Sequence, residues 1–379
     1  MVCFGMRGHL DKQLSLVAPL ALDALVPERH PLRVIKPLVE SALADLSPTF
    51  DAMYATEGRP SVPPERLLKG MLLMALFSVR SERMFCEQLA YNMLFRWFLD
   101  MDASEKPFVS TVFTHNRERL LEHDAVRKFF EAVVELARER DLLSSEHFSV
   151  DGTLIQAWGS TKSFRPKGEE GGDNNGFADF KGTARTNDTH ASKTDPDAKL
   201  WRKGRGREAN LSHMAHALME NRNGLLVDVE VTEASGTAER TAALTMVDRE
   251  QKRRAKRMRK AQKGSRKKQR GRRITLAADK GYDTKDFVKA CRERRVTPHV
   301  AQHKNARRGS AVDARTTRHA GYPVSSIARR LIEKTFGWMK GVGGVRRSRF
   351  RGRRRTAAAV MMAASAFNLV CIANLTAVS

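Results

Sequence analysis

Cysteine is scarce in this chain, and its placement excludes two fold classes at once. Cys3, Cys86, Cys291 and Cys371 lie far apart. No pair has the close spacing of a zinc module, and a disulfide framework is equally unsupported. Reduced thiols and a cytoplasmic location are the expectation. A glycine-rich loop ending in Gly-Lys-Ser/Thr is also missing, so no obligate nucleotide cofactor is indicated. Met1 to Leu20 scatters polar residues through its length, so no secretory signal is expected. The most apolar stretch, Thr356 to Val378, is interrupted by Ser365, Asn368, Asn374 and Thr376. It reads as a buried terminal helix against the central sheet, not a membrane span. Acids are in short supply beside bases: 43 Asp and Glu against 68 Lys and Arg give a formal net charge of +25 and a pI near 10.4. That balance calls for a polyanionic partner. Membrane surfaces and acidic proteins are polyanions too, but they give the best-placed acids nothing to do.

Those acids are three. Asp151 ends the strand-like run Phe148-Ser149-Val150, and Asp279 ends Ile274-Thr275-Leu276-Ala277-Ala278. Glu333 lies within an amphipathic helix expected from Ser325 to Lys340. Acids from two strand ends and one helix can converge on a pair of divalent cations. In so basic a chain, the matching substrate is a nucleic-acid phosphodiester. Arg329, Glu333 and Lys340 share one helical face, with Ser326 near it, and Ile327, Leu331, Thr335 and Trp338 form the opposite, inward stripe. An acid flanked by two bases suits a metal beside a phosphate. Ordinary surface ion pairs would produce the same spacing. Gly337 weakens the helix and could end it before Lys340.

Taken together, Ser326-x-x-Arg329-x-x-x-Glu333-x-x-x-x-x-x-Lys340 resembles the signature around the catalytic Glu of bacterial insertion-sequence transposases. That signature usually opens with Tyr, where this chain has Ser326. Ala278-Asp279-Lys280-Gly281-Tyr282-Asp283 resembles the second-Asp motif, and Val150-Asp151-Gly152-Thr153 the first. The stretches Glu233 to Arg240 and Ser81 to Phe98 are similar to parts of the insertion-sequence family numbered five. The likeness runs from about Gly58 to Leu375. It implies an RNase H-like core with an Asp-Asp-Glu triad: an α/β fold whose mixed sheet has flanking helices, preceded by an all-α N-terminal domain. It also implies a dimer on double-stranded DNA, engaging terminal inverted repeats and target DNA.

The hydrophobic pattern supports that organisation. Residues 1–140 read as helical, for DNA binding or dimerisation. One helix starts at Pro63-Pro64, a second runs from a Ser81 cap to about Phe98, a third starts at Ser110, and a fourth spans Ala125 to Arg140. Thr111, His115, Asn116 and Arg117 on the third are candidate DNA readers in a helix-turn-helix; a plain scaffold or dimer surface fits as well. Residues 145–379 form the catalytic domain. A strand from His147 to Trp158 comes first, then a polar, partly mobile excursion at 159–208. A hairpin follows around Asn221-Arg222-Asn223-Gly224, then a helix from Thr237, a strand at Ile274 to Ala278, a helix from Thr284 to Arg294 and a strand from Val296 to Val300.

Two basic runs are candidate phosphate contacts. The insertion at 251–273 has 14 Lys or Arg and no acid, including Lys252, Arg253, Arg254, Lys256 and Arg257. Like charges at this density make a free helix marginal until phosphates neutralise it. The second run holds Arg346, Arg347, Arg349, Arg351 and Arg353. His213 and His216 face opposite sides of a strand, so they share no metal. Asp195 and Asp197 around Pro196 suit a turn. Trp158 is expected in the core, and Trp201 is the better candidate for stacking on an unpaired base.

The expected chemistry is metal-dependent strand cleavage and strand transfer by two Mg²⁺ or Mn²⁺ ions on Asp151, Asp279 and Glu333, with Arg329 and Lys340 on the phosphate. Two other proteins could share parts of this sequence pattern. A structure-specific nuclease would cut without joining, and a catalytically inactive DNA-binding regulator would use the basic runs alone.

Overall fold

The computed structural model describes residues 21–55, 57–58, 60–168, 185–202, 204, 206–261, 273–303 and 309–377. The chain divides into two compact units. One comprises residues 1–142, 338–345 and 358–379, and the other 143–337 and 346–357.

The first unit is helical. Its elements are α1 (Leu22–Leu25), α2 (Pro31–Ala44), α3 (Ser47–Asp51), α4 (Pro64–Leu76), α5 (Glu82–Gln88), α6 (Met93–Phe98), α7 (Thr111–Glu122) and α8 (Ala125–Glu139). Pro31 and Pro64 open α2 and α4, where a missing amide costs nothing. Ser81 caps α5, its Oγ accepting from Met84 N at 3.1 Å. The single helix expected from Ser81 to Phe98 is in fact two, because Asn92 caps a new one by accepting from Phe95 N at 3.1 Å. Ser110 precedes α7 but makes no side-chain cap bond, its backbone already being helical. Val126, Phe129, Phe130, Val133, Val134 and Ala137 recur at helical spacing along α8 and are all buried.

The apolar terminal segment forms α14 (Arg353–Ala377). From Ala358 it belongs to this helical unit and not to the sheet, contrary to expectation. The cause is its composition: it is apolar on all sides, with Val360, Met362, Ala363, Ala364, Ala366, Leu369 and Ile372 buried, and such a helix fits a bundle interior better than one sheet face. It is long and apolar enough to cross a membrane, yet 72% of its apolar window is buried in protein.

The second unit is built on a mixed sheet. Its strands are β1 (His147–Gln156), β4 (Lys199–Trp201), β5 (Asn210–Glu220), β6 (Leu226–Glu233), β7 (Ile274–Ala278) and β8 (Val296–Val300); a separate pair holds β2 (Phe164–Pro166) and β3 (His190–Ser192). The order across the sheet is β6-β5-β1-β7-β8, with β4 continuing the β6 edge of β5. The first three strands are antiparallel, and β1, β7 and β8 run parallel. This is the order expected of an RNase H-like core. Every residue of β7 is buried, as suits a parallel strand covered on both faces. Its helices are α9 (Ala238–Ala261), α10 (Lys285–Glu293), α11 (Ala314–Thr317) and α12 (Gly321–Ala328), and α13 (Leu331–Gly341) starts in it.

The described parts of the excursion at 159–208 are folded onto this unit. Phe164, Ala198 and Leu200 pack with Ala157 and Leu211. Asp195 is fully buried and accepts from Gly352 N at 3.1 Å, and Asp197 accepts from Arg353 N at 2.8 Å. Both aspartates therefore serve the start of α14, where free amides favour a carboxylate. The buried His213 ring nitrogen Nε2 meets Asp195 at 3.1 Å, whereas His216 Nε2 meets Thr232 Oγ1 at 2.8 Å, so the two histidines have separate partners.

The hairpin between β5 and β6 turns on a buried acid. Glu220 accepts backbone bonds from Ser144, Arg222, Asn223 and Leu225 at 2.7–3.1 Å, and Gly224 takes a positive φ of 78°. Glu220→Ala leaves those buried donors unpaired. It is expected to lower stability by roughly 2–4 kcal/mol in denaturant melts; a change below about 0.5 kcal/mol would show that the turn needs no acid.

Candidate active site

Adjacent strands carry the first two acids: Asp151 lies in β1, and Asp279 directly follows β7. His147, Phe148 and Ser149 of β1 stand opposite Thr275, Leu276 and Ala277 of β7 in parallel register. The pairing ends there, two residues before Asp151 and Asp279, and the Asp279 charge acts on the Asp151 carboxyl. Asp151 Oδ1 accepts from Gly152 N, and Asp279 Oδ1 from Gly281 N, each at 2.8 Å. The second bond shapes the short Lys280–Tyr282 turn after β7.

Glu333 and Arg329 act on the same point. Burial first, then the charge of Asp279 and that of Glu333, pushes the Asp151 carboxyl up to about 6; the Gly152 amide and Arg329 oppose the rise. Glu333 is exposed and lies in the first turn of α13. The expected continuous helix from Ser325 to Lys340 is broken. It becomes α12 and α13, joined by a tight turn in which Arg330 N bonds Ile327 O and Ile332 N bonds Arg329 O, both i to i−3. The turn changes which residues face inward. Ile332, Thr335, Phe336 and Met339 are buried, while Ile327 is 66% exposed and Leu331 and Trp338 are half-buried. Ser326 Oγ bonds Tyr322 O within α12. Helix α13 continues through Gly337 to Gly341, so Lys340 follows Glu333 by about two turns on one helix.

A fourth carboxylate, Glu239, joins the group from the first turn of α9. Its carboxyl is raised by burial and then by the charges of Asp151 and Asp279, against the pull of Arg240. In the sequence Glu239 sits within a family-like stretch, with nothing nearby to suggest a role. Its signal was Gly152, whose missing side chain leaves the space that Glu239 enters.

The donor set is made of hard oxygens, which fit Mg²⁺ or Mn²⁺. Among the described residues, no three His, Cys, Asp or Glu already stand as a metal cage. The acids are neighbours in mutual repulsion, with the Asp151 and Glu239 carboxyls both raised, a state that a divalent cation relieves. Because the folded carboxyl of Asp151 lies above its ordinary value, the folded state holds the extra proton. Stability contributed by that proton is present below about pH 4 and is lost as pH rises to about 6. In EDTA at pH 7.5, Asp151→Asn is therefore expected to melt several degrees higher than the unaltered protein, by on the order of 2 kcal/mol. A lower melting temperature would contradict the strained carboxylate.

Residues 143–369 match the family described as the transposase DDE domain, and residues 20–119 match a transposase domain, DUF772. The chain belongs to the DDE transposase family. It is thus an enzyme of transposition that cleaves and transfers DNA strands, with a divalent metal requirement. No curated protein matches this transposase. Among solved structures it is similar to a piggyBac transposase synaptic complex with hairpin DNA: 10% identity, covering 92% of this chain and 76% of that one, TM-score 0.40. It is also similar to a Mos1 transposase paired-end complex with the left transposon end: 11% identity, 75% and 73% covered, TM-score 0.20. The strand order of this transposase is that of an RNase H-like core.

The basic and aromatic residues sort less simply than their sequence suggested. In α9, Arg253 bonds the buried Asp228 at 3.0 Å and Glu250 at 3.2 Å, and Arg257 bonds Glu250 at 2.7 Å. Arg253 thus ties α9 to β6 through Asp228, Arg257 pairs within α9, Lys252 and Lys256 are exposed and Arg254 is half-buried. Residues 262–272 of the insertion lie outside the described residues. Helix α9 itself runs to Ala261, further than charge repulsion alone would allow, because Met246, Val247 and these ion pairs anchor it. Arg346, Arg347, Arg351 and Arg353 are exposed, whereas Arg349 lies half-buried, 5.9 Å from the Phe350 ring centre. The run starts against β1: Gln156 N bonds Arg346 O at 3.1 Å and Ser348 N bonds Gln156 O at 2.7 Å.

On α7, Thr111 and His115 are exposed, but Asn116 is buried, bonding Val112 O, and Arg117 pairs with Glu82. Those two are therefore taken up inside the helical unit. Trp158 and Trp201 exchange their expected places. Trp158 is 45% exposed, with Arg347 donating to its carbonyl, and Trp201 packs on Met214, Ala234 and Ala238. Position decides this: Trp158 falls beyond the end of β1, whereas Trp201 lies in β4 on the sheet edge.

Proposed function

We propose that this transposase moves an insertion sequence related to family five, with Asp151, Asp279 and Glu333 holding two Mg²⁺ or Mn²⁺ ions. The observation that supports this is that Asp279 and Glu333 both act on the Asp151 carboxyl, where β1 lies in parallel pairing beside β7. Bound cations supply Lewis-acid activation of a water or 3′-hydroxyl and stabilise the departing oxygen. The chain's own part is to fix the acids on rigid elements and to orient the phosphate. Arg329 neutralises charge beside Asp151, and Lys340 offers a second cation further along α13. Neither step needs a side-chain nucleophile, so cleavage and joining can use one set of residues.

The partners follow from charge and helices. Exposed Lys252, Lys256, Arg346, Arg347, Arg351 and Arg353, with Arg254, contact phosphates, and Thr111 and His115 on α7 read base edges of the terminal repeats. The helical N-terminal unit serves end binding and pairs two copies on DNA. The test incubates the full chain with a pre-cut terminal-repeat oligonucleotide and a supercoiled plasmid in Mg²⁺ or Mn²⁺. Covalent joining of the oligonucleotide 3′ end to plasmid is expected. Plasmid nicking with no joined product would leave a nuclease instead.

A further inference from the structure

Glu239 is the carboxylate of this region that the chemistry above leaves unused. It reaches the catalytic strand through a gap that only glycine provides. A Cβ on Gly152, the residue after Asp151, would lie 2.9 Å from both Cγ and Oε1 of Glu239 and 3.1 Å from His216 Nδ1. Real Cβ contacts are not that short, so any side chain at 152 would displace the acid. The opposite flank is tied down by Arg240. Its guanidinium donates to Gly281 O at 3.2 Å, in the turn after Asp279, and to Gly236 O at 3.0 Å, in the turn before α9. Both catalytic aspartates thus have the start of α9 fixed beside them.

An acid in the first turn of a helix is ordinary, since the helix dipole favours it there. Two buried groups mark this one out. His216 is fully buried. Thr232 Oγ1 spends its hydrogen on Glu233 O at 3.0 Å, so it accepts from His216 Nε2, and the His216 Nδ1 lone pair remains without a partner beside Gly152 and Glu239. The Tyr282 hydroxyl is also fully buried and unpartnered, and it feels the charges of Glu239, Asp151 and Asp279 together. Orphaned buried polar groups of this kind are rare and point to something absent. Among the described residues, no hydrogen bond or ion pair holds the Glu239 carboxylate itself.

We propose that Glu239 is a fourth carboxylate of the catalytic centre and a ligand for the divalent cation that Asp151 and Asp279 bind. This rests on the metal centre proposed above. The role explains why Gly follows Asp151, and why an acid stands half-buried among like charges.

The test uses the full-length protein and Mn²⁺ alone, titrated by calorimetry. Glu239→Gln is close to isosteric and is expected to weaken Mn²⁺ binding at least about tenfold. Gly152→Ala, which keeps the acid but displaces it, should weaken binding in the same direction. In EDTA, Glu239→Gln should melt no lower than the unaltered protein, and its binding of terminal-repeat DNA should match. If Asp151→Asn loses Mn²⁺ affinity and Glu239→Gln does not, Glu239 is only a helix-start acid and the proposal is overturned. If Asp151→Asn also keeps full affinity, the metal centre itself is misplaced and the proposal falls with it.

Discussion

Asp151→Asn, Asp279→Asn and Glu333→Gln are each expected to reduce strand cleavage and joining by at least two to three orders of magnitude, on the order of the effect of removing one charge-stabilising group from a transition state. Binding to DNA ends should survive. Each replacement keeps the shape of the side chain and removes only the anionic oxygen, so the fold has no reason to fail. Asp279 and Glu333 both act electrostatically on the Asp151 carboxyl. Loss of any one acid should therefore resemble loss of all three, because the groups act as a unit. Gel assays of nicking and joining in Mg²⁺, beside end-binding assays, separate the two properties. A variant that keeps near-full turnover identifies a wrongly assigned residue.

The second large effect separates two kinds of base within one helix. Arg253→Gln with Arg257→Gln removes both guanidinium partners named for the buried Glu250. Breaking a buried ion pair from one side is strongly destabilising, so a loss of roughly 3 kcal/mol or more is expected in denaturant melts. Lys252→Gln with Lys256→Gln touches exposed side chains. Stability should hold within about 0.5 kcal/mol. The slope of log affinity against log salt should become shallower by about 0.9 for each DNA phosphate that is no longer neutralised. An unchanged slope would mean that these lysines are merely solvated. A stable double Arg variant would mean that the ion pairs to Glu250 do not brace α9.

Much of the catalytic sheet was legible because its strands are apolar and sharply bounded. Val296 to Val300 and Ile274 to Ala278 appear as read, and Asn223-Gly224 marks the hairpin. The acids were legible for the same reason: a lone Asp directly after an apolar run stands out. Tertiary competition was not legible. Arg253 and Arg257 look like their neighbours in a basic run, and only the fold reveals that Asp228 and Glu250 are buried beside them. Asn116 and Arg117 are likewise claimed by Val112 and Glu82. The break at Arg329-Arg330 carries no Gly or Pro, so helical periodicity ran straight through it and put Ile327 on the inward stripe, where it does not belong. Glu239 stayed silent because its partner is a missing side chain, Gly152, more than eighty residues earlier in the chain.

Whether Asp151, Asp279 and Glu333 converge on one metal site is open to direct measurement by iron-directed backbone cleavage. Fe²⁺ replaces the native ion, ascorbate and peroxide generate radicals at it, and the fragments are mapped by mass spectrometry. Scission clustered near residues 151, 279 and 333, and suppressed by excess Mg²⁺, is the predicted result. Scission confined to one of these segments, or placed elsewhere in the chain, would contradict a shared site.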